Sequence, residues 1–265
     1  LRSLLRGLSM ADTGGHSLTI TFAVRACFSV KLAYSYSLMS FIYRLIEIGN
    51  PVLSDQIHNY QRHHRRDYDA PPPFKFFTFG RLNGRAIINR GQIRFIKQAT
   101  FEVRSPDKAI IDAIIAGLVK RQHFTFMDNA VDVIGFSYQK TDLQHVRRLV
   151  ARTLSPITVY RTEPTGKTIY FHPQQPEFIE LIVRNMTLKY RSFYGFSPKP
   201  ALDVHLVPDG IIKKTVTTFK RVLVTAYDCE LELIGAPDLL QFAYDTGLGA
   251  KNSNGFGMFK IVHRV

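Results

Sequence analysis

The sequence predicts an α+β protein made of two tandem domains, each with the element order β-α-β-β-α-β. Segments that alternate apolar and polar residues, typical of half-buried strands, separate segments with apolar residues at helical spacing. This order occurs twice along the 265 residues, with a glycine-rich loop near the C-terminal end. It is the order of the ferredoxin-like (RRM-like) fold, in which two helices pack on one face of an antiparallel sheet. The two halves share no visible sequence repeat, so the duplication rests on element order alone.

The first predicted domain covers residues 17–150 and begins with a strand at Leu18–Ala26. A helix is predicted at Tyr36–Ile48, because its apolar residues recur at helical spacing. Asn50 is the predicted cap of a second helix, which starts at Pro51 and runs to about Asn59. Strand-like runs follow at Phe74–Leu82, Arg85–Asn89, Gln92–Ile96 and Thr100–Arg104, so this half contains extra hairpins. The last predicted elements are a helix that Ser105 and Pro106 open, to about Arg121, and a strand-like stretch at Phe124–Tyr138.

The second predicted domain covers residues 151–265, with the boundary near Ala151. Its predicted elements are a strand at Thr153–Arg161, a helix at Pro176–Arg191, strands at Ala201–Val207 and Val216–Leu233, a helix at Pro237–Tyr244 and a last strand at Phe256–Val262. Residues 1–16 begin without Met and lack this patterning, and we expect a disordered leader or an expression remnant there.

The charge of the chain predicts a polyanionic partner. Lys and Arg number 35 against 21 Asp and Glu, a net charge of +14, which is typical of proteins that bind nucleic acid or an acidic membrane surface. From His58 to Arg104 there are ten Lys/Arg and three Asp/Glu, so much of the excess lies in the first domain. No apolar run approaches the roughly 20 residues that span a bilayer. Two cysteines without metal-ligand spacing favour a reducing cytoplasm, and neither a metal nor a cofactor is predicted.

The segment Gly247–Val262 (GLGAKNSNGFGMFKIV) is the most specific part of the sequence. Its four glycines allow left-handed backbone and close approach to the main chain. Exposed N–H groups beside Lys251 would form a phosphate-binding loop. A dinucleotide-binding loop or a P-loop must open a helix, whereas this loop leads into a strand. A long glycine-rich hairpin without a ligand is the alternative.

With this loop the chain resembles CRISPR-associated protein six, a family of endoribonucleases that process CRISPR repeat RNA. The feature most specific to that family is a helix followed by a G-x-G-x-x-x-x-x-G-F-G loop and a final strand. The three occur here in that order. Leu154–Ile157 (LSPI) is similar to the opening of the family's second domain. Short segments that agree with the family in order and spacing are Phe41–Tyr43, Asn50-Pro51, Ile57-His58 and Lys75–Thr78.

The resemblance implies metal-independent cleavage of the repeat in the precursor transcript by the RNA's own 2′-hydroxyl, with Tyr43, His58 and Lys75 as catalytic residues. The local sequence agrees, because Tyr43 and His58 lie beside the apolar stripes of their helices, where no packing role is predicted for Tyr43. The imidazole pKa of about 6.5 suits proton transfer near neutrality. His63 and His64 are alternatives to His58, and three arginines are alternatives to Lys75: Arg62, Arg65 and Arg66.

The resemblance also implies RNA contacts on the glycine loop and on a hairpin of the second domain, in addition to the basic stretch after His58. The predicted RNA-binding residues are Gly247, Gly249, Lys251, Asn252, Gly255, Gly257, Arg62, Arg65, Arg66, Lys213, Lys214, Lys220 and Arg221. For the hairpin residues, an ordinary charged strand edge is the alternative.

Two other functions remain open. The first is an RNA-binding subunit of a CRISPR effector complex that has the same fold and no activity. The second is an enzyme that binds a nucleotide or phosphometabolite with the glycine loop, although the chain lacks carboxylate pairs for Mg²⁺. The partners expected are the CRISPR repeat RNA, with a homodimer and an effector complex left open, and no membrane.

Overall fold

The computed structural model describes residues 15–24, 28–63, 74–127 and 129–264, without the side chains of residues 24 and 59–63. The elements of the first domain are β1 (Gly15–Val24), β2 (Ser29–Lys31), α1 (Ser35–Gly49), α2 (Pro51–His63), β3 (Thr78–Phe79), β4 (Ala86–Asn89), β5 (Gln92–Phe95), β6 (Gln98–Ser105), α3 (Lys108–Lys120), β7 (His123–Phe126) and β8 (Asn129–Thr141). Those of the second domain are β9 (Arg148–Thr153), β10 (Tyr160–Thr162), β11 (Thr168–Tyr170), α4 (Pro176–Tyr194), β12 (Asp203–Leu206), β13 (Lys213–Phe219), β14 (Val222–Asp228), β15 (Glu230–Ile234), α5 (Pro237–Thr246) and β16 (Phe259–Arg264).

The main sheet of the first domain has the strand order β3-β6-β1-β8-β7, and its pairs are antiparallel. Its first four strands give the ferredoxin-like order, and β7 extends the edge. Alternate residues of β1 (Leu18, Ile20 and Phe22) are buried in the core, as expected for a sheet covered by helices on one face. The helix α1 packs against α3 over this sheet.

The main sheet of the second domain, β12-β15-β9-β16, repeats the same order. The predicted apolar stripe of α4 is buried at Phe178, Ile182 and Met186. The prediction of two tandem ferredoxin-like domains is therefore confirmed.

Smaller sheets extend both domains. Strands β2, β5 and β4 form a three-stranded sheet in the first domain, while β10–β11 and β13–β14 are two-stranded hairpins in the second. The stretch predicted as Val216–Leu233 contains parts of three strands, because Lys220 and Arg221 take φ angles of 48° and 69° and turn the chain. A hairpin turn of this kind requires positive φ at both central residues.

The two domains make direct contact. The guanidinium of Arg104, on β6, donates a 2.7 Å hydrogen bond to the carbonyl oxygen of Phe259, on β16. The same group lies 3.7 Å from the ring centroid of Tyr244, on α5. Three residues of the β13–β14 hairpin, Phe219, Val224 and Ala226, are buried in the core of the first domain. This hairpin therefore carries part of the second domain into the first.

Three local predictions need correction. Ala151 lies inside β9, which pairs with β15 and β16, so the domain boundary falls between β8 and β9. Strand β1 includes the last two residues of the predicted leader, Gly15 and His16, because they pair with β8; residues 1–14 lie outside the described part. The N-cap of α3 is Asp107 instead of Ser105, since the Asp107 side chain accepts a hydrogen bond from the Ala109 N–H.

Among the described residues, no helix is long and apolar enough to span a membrane.

Candidate active site where the second domain meets the first

Helix α1 places Tyr43 in a buried position, where its side chain is 7% exposed. The sequence predicts no packing role for this residue, and that prediction is wrong. Helix α2 contacts α1, and the ring of Phe77 packs edge-on against Tyr43 at 5.7 Å between centroids. The helix is therefore covered over more than the one face that its apolar stripe predicts.

Helix α2 places His58 on the surface beside Tyr43. The predicted cap is confirmed, because the Leu53 N–H donates a 3.0 Å hydrogen bond to Asn50 Oδ1. Leu53 and Ile57 pack against the core of the first domain, whereas His58 is exposed. Its imidazole centroid lies 4.9 Å from that of Tyr43. A solvent-accessible imidazole is thus supported by a buried aromatic ring.

Lys75 reaches the same tyrosine ring from a different segment of the chain. Its Nζ lies 4.3 Å from the Tyr43 ring centroid, a cation–π contact. The three residues predicted to be catalytic therefore meet at one ring, although they span 33 residues of the sequence.

Burial shifts the pKa of two members of this group. The Tyr43 hydroxyl is buried and has no hydrogen-bond partner among the described residues, and its burial raises the pKa of the phenol well above the usual range. Burial of Lys75, and next the positive charge of Lys220, lower the pKa of its ammonium group to about 8. Tyr43 therefore stays protonated at neutral pH, while Lys75 is mostly charged and able to lose its proton.

The tip of the β13–β14 hairpin brings Lys220 to this group. Phe219 packs edge-on against Tyr36, at 5.6 Å between centroids and 89° between ring planes. Lys220 Nζ lies 5.1 Å from the same Tyr36 ring. Tyr36, on the first turn of α1, thus contacts both Phe219 and Lys220. The sequence predicts no such role for Tyr36, and its one signal is an aromatic side chain outside the apolar stripe of α1.

The other hairpin residues predicted to bind RNA are exposed. Lys213 and Lys214 lie at the base of β13, and Arg221 lies at the tip beside Lys220. A strand rises about 3.3 Å per residue, so Lys214 is about 20 Å along the hairpin from Lys220. Of these four residues, Lys220 is the one whose positive charge helps to lower the Lys75 pKa.

The glycines of the loop are buried against protein. Gly247, Gly249, Gly255 and Gly257 all have positive φ, a backbone region open mainly to glycine. A Cβ on Gly257 would lie 1.9 Å from the carbonyl oxygen of Leu248, and one on Gly255 would lie 2.7 Å from the Phe79 ring. Close packing of the loop on itself and on the first domain therefore accounts for these glycines, and their backbone is not an open cradle for RNA.

Asn252 holds the loop together from inside. Its Nδ2 donates hydrogen bonds to the carbonyl oxygens of Leu248 and Phe256 at 2.9 and 3.0 Å. Its Oδ1 accepts a 2.9 Å hydrogen bond from Lys189 Nζ. Because Asn252 is only 7% exposed and its amide is engaged by the protein, the prediction that it contacts RNA needs correction to a structural role.

Lys189 is a buried partner of the loop that the sequence analysis missed. It is 3% exposed, also donates to the Gly247 carbonyl oxygen, and burial lowers the pKa of its ammonium group to about 7. Its position three residues after Met186, on the apolar stripe of α4, was a signal that the side chain points inward.

Lys251 differs from Asn252 and from the four loop glycines, since its side chain is partly exposed. Its Nζ lies 5.0 Å from the Tyr160 ring centroid, on the side of the loop that faces β10. The structure does not describe the side chains of Arg62 and His63. Residues His64, Arg65 and Arg66 lie outside the described part of the chain. Among the described residues, no group of three or more His, Cys, Asp or Glu side chains is arranged as metal ligands.

Comparison with known proteins agrees with this architecture. The family profile described as "CRISPR-associated protein Cas6, N-terminal" matches residues 29–134, and "CRISPR associated protein Cas6, C-terminal" matches residues 139–261.

The chain is 28% identical over 232 residues to CRISPR-associated endoribonuclease Cas6 1 of Methanocaldococcus jannaschii, covering 85% of this chain and 84% of the relative. It is 25% identical over 240 residues to CRISPR-associated endoribonuclease Cas6 of Pyrococcus furiosus, covering 88% and 84%. A solved structure of a Cas6-related protein from Pyrococcus furiosus has the same fold, with a TM-score of 0.80 at 22% identity over 94% of this chain and 99% of that one. With both profiles matched in order across the two domains, the chain belongs to the Cas6 family.

Proposed function

We propose that the chain is an endoribonuclease that cuts CRISPR repeat RNA in a precursor transcript without a metal ion. The observation that carries the proposal is the contact of His58 and Lys75 with the same buried ring, that of Tyr43. An acid–base group and a cation are thereby held at one point of the surface. Two curated relatives that cover more than four fifths of the chain are named CRISPR-associated endoribonucleases, which supports the substrate class.

The reaction would begin with attack of an RNA 2′-hydroxyl oxygen on the adjacent phosphorus. The bond from phosphorus to the 5′-oxygen breaks, which leaves a 2′,3′-cyclic phosphate and a 5′-hydroxyl. The attacking hydroxyl must lose a proton and the leaving oxygen must gain one. His58 is exposed and can exchange protons with these oxygens, a contribution of roughly 10²–10⁴-fold.

Cations supply the charge stabilisation that the pentacoordinate phosphorus requires. Lys75, with a pKa of about 8, can stabilise the added negative charge and can also give a proton to the leaving oxygen. Lys220 adds a second positive charge from the other domain. Tyr43 then acts as a positioning residue, because its hydroxyl is buried and its ring supports both His58 and Lys75.

The RNA would be held chiefly through its phosphates. Three exposed hairpin residues, Lys213, Lys214 and Arg221, and the partly exposed Lys251 are the described candidates for these contacts. Phosphate contacts supply affinity and fix the position of the strand but carry no sequence information. Assembly into a homodimer or a CRISPR effector complex stays a prediction from the family resemblance.

The proposal is tested with repeat RNA in the presence of EDTA. We expect cleavage to persist, and the products to carry 2′,3′-cyclic phosphate and 5′-hydroxyl ends. A single deoxyribose 5′ of the scissile phosphate removes the nucleophile, so binding should persist while cleavage stops. Cleavage that needs Mg²⁺, or cleavage of the deoxy substrate, would contradict the mechanism. Tight binding without any cleavage would instead support the alternative of an RNA-binding subunit.

A further inference from the structure

A cleft lies on the second domain between the glycine loop, helix α4 and the start of β10. It has a volume of about 290 Å³, and its walls include Tyr160, Arg161, Arg184 and Asn185 together with the loop backbone at Gly249–Ala250. Three apolar residues, Val159, Leu181 and Leu188, also line it. Pockets for small ligands begin at about 300 Å³, so this cleft matches a ligand of about one nucleotide in size.

The charged residues that line the cleft are positive. Arg161 and Arg184 line it and are exposed, and no Asp or Glu is among its lining residues. Lys251 adds a third positive charge at the rim, with its Nζ 5.0 Å from the Tyr160 ring centroid. A guanidinium presents a planar set of donors that matches phosphate oxygens. The cleft is therefore suited to an anion that carries an apolar or aromatic part.

The residues that line the cleft include an aromatic ring and an amide. Tyr160 is partly exposed, and its ring packs against that of Tyr170, at 5.7 Å between centroids. Asn185 Oδ1 is buried and accepts no hydrogen bond from the described residues. Every nucleobase has a flat face that stacks on an aromatic ring, and every nucleobase has an N–H group on its edge. A base in the cleft could therefore stack on Tyr160 and turn its donor edge toward Asn185.

We propose that this cleft binds one nucleotide extruded from the RNA strand, with the base on Tyr160 and its phosphate beside Arg161 and Arg184. The inference rests on the proposed function, because it takes the repeat RNA as the ligand. It adds a site at which the protein recognises a base rather than a phosphate. Such a site would determine the register of the RNA, that is, which phosphate of the repeat lies beside His58.

The test uses a set of repeat RNAs, each with one abasic site at a different position, and measures their Kd for the protein. In the unaltered protein, one abasic position should weaken binding about tenfold, as expected for the loss of one stacked base. In Tyr160→Ala, the unmodified RNA should bind about tenfold more weakly, and the same abasic site should cause no further loss. Tyr160→Phe keeps the ring and should restore both the affinity and the sensitivity to that abasic site.

A matched pair of arginines on α4 tests the charge. Arg184→Ala should weaken binding about fivefold and reduce the salt dependence by about one ion. Arg191→Ala removes an exposed arginine two turns further along the same helix, outside the cleft, and should leave the Kd within about twofold.

Several outcomes would overturn the inference. If Tyr160→Ala binds and responds to every abasic RNA like the unaltered protein, the cleft does not hold a base. Equal effects of the two arginine variants would show that only the overall charge matters. In both cases, cleavage of unmodified RNA by the unaltered protein would still support the proposed function. If the unaltered protein did not bind repeat RNA at all, the proposed function and the nucleotide site would both be wrong.

Discussion

Removal of the positive charge of Lys220 should change the pH dependence of cleavage in a direction that the structure determines. A nearby cation disfavours the ammonium form of Lys75, so Lys220 helps to lower the Lys75 pKa to about 8. In Lys220→Ala that repulsion is absent, and the Lys75 pKa rises toward its ordinary value. The ammonium form, which both proposed roles of Lys75 require, then persists to higher pH.

The magnitude follows from the charged fraction of Lys75. With a pKa of about 8, roughly nine tenths of Lys75 is charged at pH 7 and roughly one tenth at pH 9. The cleavage rate of the unaltered protein should therefore fall about tenfold between these values. In Lys220→Ala the rate at pH 7 should be about tenfold lower, because one stabilising charge is lost, but its alkaline decline should begin at higher pH. The Tyr43 pKa lies above this range, so ionisation of the phenol does not contribute to the decline.

The assay is the single-turnover rate on end-labelled repeat RNA between about pH 6 and pH 10. Lys214→Ala is the matched control, because it removes the same charge from the far end of the same hairpin. It should weaken RNA binding without moving the alkaline decline. An alkaline decline in Lys220→Ala at the same pH as in the unaltered protein, or at a lower pH, would refute the proposed coupling of Lys220 to Lys75.

Three further predictions concern single side chains. His58→Ala should lower the single-turnover rate by about 100-fold with RNA affinity unchanged within a few-fold; a normal rate in this variant would mean that another group transfers the proton. Tyr43→Phe should retain activity within about threefold and raise the melting temperature, because the buried hydroxyl has no partner, whereas Tyr43→Ala should lose most activity with the support for His58 and Lys75. Gly257→Ala should destabilise the fold by about 3 kcal/mol or more in denaturant unfolding, since its Cβ would lie 1.9 Å from a carbonyl oxygen. Gly166→Ala, also at positive φ but with nothing within 4 Å, should cost only about 1 kcal/mol, and equal losses for the two glycines would contradict the packing role of the loop.

The local elements could be predicted from the sequence because their signals lie within a few residues. The apolar stripe of α4 predicted its buried face at Phe178, Ile182 and Met186, and all three are buried. The cap at Asn50 was predicted from the residue type and the following proline, and its hydrogen bond to the Leu53 N–H is present. The element order then predicted two ferredoxin-like domains, since short connections and the need to cover one sheet face leave few alternatives.

The sequence by itself thus determined the helices, the fold class and the residues that the family resemblance selects. It did not determine every strand: the predicted strand Thr153–Arg161 is divided, because β9 ends at Thr153 and β10 begins at Tyr160. Only the tertiary structure decided what the selected residues contact. Asn252 has the sequence environment of a phosphate-binding loop, yet its side-chain amide forms hydrogen bonds inside the protein with Leu248, Phe256 and Lys189. Tyr36 lies 183 residues from Phe219, and no pattern within either segment predicts that their rings meet. The periodicity of a sequence predicts which face of a helix or strand is apolar. The packing of one domain on the other decides which polar side chains stay exposed and which are buried in structural hydrogen bonds.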